Sequence, residues 1–381
     1  MSSSLPSLDK TEELFRREPQ KVVPAMGVHP WFAWTISMEG GGEKGLHYRR
    51  VLNIPHSLSN HAGKKKTTAQ EQTHEEQVKQ LEEEDQFSVW LSRHLHLLPE
   101  PTPLSDLLDD LRRRFVRLPD AMMGEVGLDK KFLFRFNPSS SPTGAASSSS
   151  SSCSPRMVQT KYKVAITHQL DILRAQIELA IEMQRPISLH CVHAVPELQA
   201  LLHSLIARHG PRFTGLPPPP SPTIHMQETQ HHYPSGINIC WHSPNLSGEV
   251  QRQLLRLLPC TMYFSFSDQH ARLHRPPNNS IIQQPSYTDS LQEAQYYSPK
   301  IRAAILATPL HRLLLESDHA HPPHLIDLQL EKIFRLCLTL LQTHTPLPTP
   351  LSPQNLAAQI HQNWSRFYAP PFPSQSPTLP Q

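Results

Sequence analysis

The chain has 381 residues, 38% of them hydrophobic, with 39 prolines and a formal net charge of +3. Such a length holds one large domain or two ordinary ones, and the prolines point to a folded body interrupted by long polar insertions. The charge is too small to argue for a nucleic-acid surface by itself, whereas the 24 histidines supply the commonest metal ligand in quantity.

Residues 1–20 contain a helix-like segment, LDKTEELFRREP, and no apolar run of the secretory-signal kind. KVVPAMGVHP (21–30) then reads as a short strand ending at His29. Residues 39–86 read as a first insertion, with the basic KKK at 64–66 and the acidic LEEED at 81–85. Inside it, HYRRVLNI (47–54) has the makings of a short edge strand. DAMMGEVGLD (120–129) is the second strand and carries Glu125 among apolar neighbours, where a lone carboxylate is rare. Residues 137–156, serine-rich, form a second insertion with the composition of a flexible linker.

Ile166, Leu170, Leu173, Ile177 and Ile181 recur at helical spacing. RPISLHCVHA (185–194) is the next strand, followed by a helix from Pro196 to His209 that Gly210 stops. A third insertion, 217–235, opens on four prolines. GINICWHS (236–243), a Leu-rich helix at 249–258, TMYFSFS (261–267), a helix near 300–307, RLLLESD (312–318) and an amphipathic helix at 325–341 complete the series. The tail, 369–381, has the composition of disorder.

Strands alternating with helices imply parallel βαβ units, and nearly continuous apolar runs suit strands covered on both faces. Six are legible: 21–28, 120–127, 186–190, 236–241, 261–267 and 312–318. No glycine-rich phosphate loop of the dinucleotide or P-loop kind follows the first strand. No segment approaches the ~20 apolar residues of a membrane span. The five cysteines, Cys153, Cys191, Cys240, Cys260 and Cys337, are odd in number and lack a CxxC pair. A reduced intracellular location, cytoplasmic or nuclear, follows as the expectation.

Strand after strand ends in, or carries near its C-terminus, a potential ligand: His29, Glu125, His190, His242 and Asp318. In a (β/α) barrel such positions face the mouth of the active site. Two imidazoles and two carboxylates suit zinc, manganese or magnesium, which can activate water and clamp the oxygens of an ester or phosphodiester. The pair His94-Leu95-His96 lies in a helical stretch, where side chains at i and i+2 do not face each other.

GVHPWF, MMGEVGLD, RPISLH, ICWHSPNLSG and RLLLESD, in this order, resemble the TatD-related metal-dependent hydrolases and deoxyribonucleases. Their wording is most similar to a fungal branch described as partners of an anaphase-promoting-complex subunit. AAQIHQNWSRFYA, around Asn363, resembles the family's closing helix.

The resemblance implies one TIM-type (β/α)8 barrel over 21–368 with a divalent-metal site, two-metal in the family, and ester hydrolysis with DNA ends as substrate. It implies Glu125, His190, His242 and Asp318 as metal ligands, with Glu125 and Asp318 catalytic. His29 would stand at the pocket edge and His193 where many members carry a phosphate-binding arginine. Asp129 and Glu316 would be supporting residues, and His319 and His321 rim residues.

The family's opening strand, with its His-x-His pair, is not legible, so six of eight strands are expected. Two other readings stand beside the hydrolase. One is a non-catalytic barrel that binds a helical-repeat protein. The other is a related amidohydrolase acting on C–N bonds, disfavoured because Glu125 takes the place of the carboxylated lysine usual there.

Overall fold

The computed structural model describes residues 4–40, 42–53, 74–137, 157–216, 236–271, 294, 296–319, 323–344 and 351–368. The insertions at 138–156 and 217–235, His321, Cys153 and the tail 369–381 lie outside the described residues. The core is one parallel sheet of six strands: β1 (Ala25–Met26), β2 (Met122–Asp129), β3 (Ile187–Val192), β4 (Ile239–His242), β5 (Met262–Ser267) and β6 (Leu313–Glu316). Their order in the sheet is their order in the chain, as in a singly wound barrel with six of its eight strands. The parallel sheet is what the alternating pattern predicts, and among the described residues its six strands match the incomplete (β/α) barrel that the family resemblance implies.

Eight helices of the chain flank or connect these strands. They are α1 (Leu5–Arg17), α2 (Leu104–Arg117), α3 (Ile166–Met183), α4 (Val195–His209), α5 (Gly248–Leu257), α6 (Pro299–Ala307), α7 (Pro323–His344) and α8 (Pro353–Tyr368). α3 buries Ile172, Leu173, Ile177 and Ile181 on one stripe and stops where Gln184 turns left-handed, at φ +54°. Ser247 caps α5 by accepting from the Val250 N–H, and α4 ends at Gly210 with φ +51°. Within 39–86, residues 44–51 are helical, and a second helix starts at 74 and runs beyond the segment to 94. The edge strand expected over 47–54 is confined to Leu52–Asn53, antiparallel to Lys163–Val164, because the helix that buries Tyr48 runs on to Val51.

Two features prepare the site. Between Met123↔Ile187 and Val126↔Leu189 the register of β2 against β3 slips, so Gly124 and Glu125 form a bulge that re-aims the carboxylate. At Gly127 the strands come so close that a Cβ would stand 1.9 Å from the His190 carbonyl oxygen, which restricts the position to glycine.

The N-terminal ends of the strands are closed by α8. Ala25, Met122, Cys240, Tyr263 and Leu314 share one apolar cluster with Phe367, so side chains from the first and last strands meet beneath the sheet. Asn238 donates to the carbonyls of Arg366 and Phe367, and Tyr368 donates to the Asp120 carbonyl at 2.7 Å. Asn363, fully buried, donates to the Leu310 and Leu313 carbonyls at 2.7 and 2.8 Å.

Candidate metal centre

At the opposite ends of the same strands, three imidazoles converge on one carboxylate oxygen. Glu125 Oε1 lies 2.8 Å from His242 Nε2, 2.9 Å from His190 Nδ1 and 3.5 Å from His29 Nε2. Each group comes from a different strand or the turn after it, so only the curled sheet makes them neighbours. His29, Glu125 and His190 offer ligand atoms within 4.8 Å of one another. Mixed imidazole and carboxylate donors of this kind suit a borderline or hard divalent cation.

A second ring of carboxylates orients the imidazoles. His242 Nδ1 meets Glu316 Oε1 at 2.9 Å, and His190 Nε2 meets Asp129 Oδ2 at 3.4 Å. These are the carboxylate–imidazole contacts that fix the rings of metal-binding histidines. Asp318 reaches the group one step further out. Ser243, at φ +40°, donates its Oγ to Glu316 Oε1 at 2.7 Å and stands 3.3 Å from Asp318 Oδ2. Ser267 supports that hydroxyl at 2.8 Å. Asp318 itself has φ +50° and is half-buried.

The electrostatics follow from burial and these pairs. Burial would raise the Glu125 carboxyl, but the bonds from His190, His242 and His29 outweigh it and hold the group well below the usual carboxylate range. Burial would lower His242 as well, yet the Glu316 charge and the bond to Glu125 push it well above its ordinary value. His190 is likewise raised, by Asp129 and Glu125 against burial. The carboxylates therefore draw positive charge into the pocket, the demand that a cation would also meet.

His29 differs: burial dominates and lowers it, so the ring is neutral. Its Nδ1 accepts the Trp31 N–H at 3.2 Å, which leaves the proton on the Nε2 facing Glu125. His29 is thus a hydrogen-bond donor at the pocket wall. A cation held by Glu125, His190 and His242 leaves that donor in place.

Of the other residues singled out in the sequence, His193 follows β3 at φ +55° and is exposed. His319 is half-buried and bonded to Gln269. His94 turns away to the Trp90 carbonyl at 2.7 Å. Four residues escaped the sequence reading: Ser243 and Ser267, and Gln169 and Gln176 on α3. Gln176 bonds both the N–H and the carbonyl of Val28, and Gln169 does the same for Asp129. Polar residues seven apart on an otherwise apolar stripe were the available signal.

A curated relative from Schizosaccharomyces pombe, "Cut9-interacting protein scn1", is 29% identical over 67% of this chain and 66% of its own length. A Saccharomyces cerevisiae protein, "Uncharacterized deoxyribonuclease YMR262W", is 27% identical over 50% of this chain and 48% of its own. The chain thus spans about two thirds of the first and about half of the second. A hydrolase TatD family protein from Entamoeba histolytica has a crystal structure with TM-score 0.46 at 12% identity, over 97% of this chain and 83% of that one. The model of the TatD related DNase family matches residues 1–369, and the chain belongs to that family.

Proposed function

We propose that this chain is a divalent-metal-dependent hydrolase of ester bonds with DNA phosphodiesters as its substrate. The observation that carries the reading is the convergence of three imidazoles on Glu125 Oε1 at the carboxyl ends of parallel strands. Glu125, His190, His242 and Asp318 would hold magnesium, manganese or zinc, which supplies positive charge for the phosphoryl oxygens and for a water nucleophile.

The chain's own groups supply the rest. Glu125 stays anionic, and Asp129 and Glu316 fix the faces of His190 and His242. Asp318, tied to Ser243, is the carboxylate available to orient water and receive its proton. His29 Nε2–H donates to a substrate oxygen at the wall, and His193 stands on the rim as a phosphate contact. Release of nucleotides from DNA ends with magnesium, manganese or zinc is the test; no cleavage with any of the three would sink the reading.

A second reading is a protein-interaction partner built on the same barrel, favoured by the relative named for its interaction with Cut9. A pull-down returning a helical-repeat protein whose binding survives Glu125→Ala and Asp318→Ala would favour it. A cytoplasmic or nuclear location accords with both readings, since the described cysteines, Cys191, Cys240, Cys260 and Cys337, are free thiols. Among the described residues no helix is long and apolar enough to cross a membrane.

A further inference from the structure

Asp129 holds more than His190. Its Oδ1 accepts the backbone N–H groups of Lys131 and Phe132 at 2.6 and 2.9 Å, and its Oδ2 accepts the Trp31 Nε1–H at 2.7 Å. One buried carboxylate therefore pins a candidate metal ligand, the loop after β2, and a tryptophan from the loop after β1. The result is a layered stack: the Trp31 and Phe132 rings lie 4.6 Å apart at 12° between planes, and the Arg135 guanidinium sits 5.7 Å from the Phe132 centroid.

The stack stands beside the candidate site, with the Trp31 ring 4.8 Å from His29 and 6.2 Å from His190, centroid to centroid. Trp31 remains 38% exposed although its N–H is satisfied inside. Arg135, over the Phe132 ring, and Lys131, next to Phe132 in the chain, are exposed.

An aromatic side chain held this rigidly loses little entropy when a flat ligand packs on it. Cations at its border suit an anionic backbone running past. We propose that Trp31 and Phe132 form a platform for an unpaired nucleobase next to the metal centre, with Arg135 meeting the adjoining phosphate. The proposal rests on the phosphodiester reading and adds to it a subsite that selects for the base. Stacking of this kind is tolerant of base identity, because every base presents a π-face.

The test is anisotropy in excess chelator, so that binding is read without cleavage. The probes are fluorescein-labelled hexathymidylate and an abasic deoxyribose-phosphate oligomer with the same number of phosphates. The base-bearing strand should bind roughly tenfold more tightly. Trp31→Ala and Phe132→Ala should each bring it down toward the abasic level, whereas Trp31→Phe keeps most of the preference. Arg135→Ala should weaken both probes alike and flatten the salt dependence. Phe132→Ala decides the matter if Trp31→Ala does not fold, because the residue 132 N–H still bonds Asp129.

Equal affinity of the unaltered protein for the two probes, binding to neither, or a preference untouched by both alanine variants would overturn the platform. Cleavage with metal but no base preference removes this inference alone. A base preference without cleavage under any metal removes the hydrolase reading and leaves the platform.

Discussion

The two ends of the same six strands are built from opposite materials. At the carboxyl ends, Glu125 gathers His29, His190 and His242, and Asp129 and Glu316 stand behind two of the rings. At the amino ends, Ala25, Met122, Cys240, Tyr263 and Leu314 close on Phe367 with hardly a polar atom among them. Burying charge costs free energy that only mutual pairing offsets, whereas burying methyl groups and rings is favourable outright. The barrel places its stabilising contacts at one end, which leaves the other free to carry a costly cluster. Substitutions at the two ends should therefore separate activity from stability.

The largest effect is expected at Glu125. Glu125→Gln keeps the shape but removes the charge on which three imidazoles converge. It should lower metal-dependent cleavage by at least about 10²-fold, and calorimetric metal binding should fall with it. Wild-type affinity and rate in this variant would break the comparison at its centre.

Phe367→Ala probes the other end. Removing a fully buried ring should cost ~3–5 kcal/mol, read as a lower urea midpoint, with cleavage per folded molecule unchanged. Asn363→Ala leaves the Leu310 and Leu313 carbonyls without their side-chain donor. It should cost about 1–3 kcal/mol for each carbonyl left unsatisfied, again without touching the metal.

Ser243→Ala sharpens the contrast within the site. It deletes the hydroxyl between Glu316 and Asp318 while keeping the backbone requirement at φ +40°. Metal affinity should fall roughly tenfold, and the metal-free urea midpoint should barely move. A midpoint shift as large as that of Phe367→Ala would mean that Ser243 serves the fold instead.

The smallest effect lies away from both ends. Glu12 on α1 pairs with Arg114 at 2.8 Å and Arg117 at 3.2 Å on α2, and with Arg16. Burial would raise its carboxyl, but these guanidinium groups hold it below the ordinary value. A depressed carboxylate stabilises above its unfolded pKa, about 4.3, and loses that contribution as pH falls through the lower folded value. The urea-midpoint gap between the unaltered chain and Glu12→Gln should thus be present at pH 7 and shrink below pH 4. A gap that persists there would place the role of Glu12 in packing.

The fold was legible because its signals are local. Apolar runs bounded by glycine and proline marked all six strands, and the 3.6 period marked α3. The exception is instructive: HYRRVLNI has strand-like residues, yet burial of Tyr48 and Val51 from a helix overrides the local preference. At the site the donor types were legible, since Glu125, His190 and His242 each lie in an apolar strand and Asp318 just beyond one. Their partners were not. Asp129 and Glu316 read as supporting residues, but nothing along the chain pairs Asp129 with His190 across 61 residues or Glu316 with His242 across 74.

The sequence by itself determined the order of strands and helices, the apolar faces and the chemistry arriving at each strand end, because those depend on neighbours along the chain. Only the tertiary structure decided that Glu125 leaves the ladder in a bulge, that His29 keeps its proton on Nε2, and that Asp129 serves a histidine and a tryptophan at once. Those outcomes depend on contacts between segments far apart in sequence, where the curl of the sheet and the desolvation of each charge set the partners.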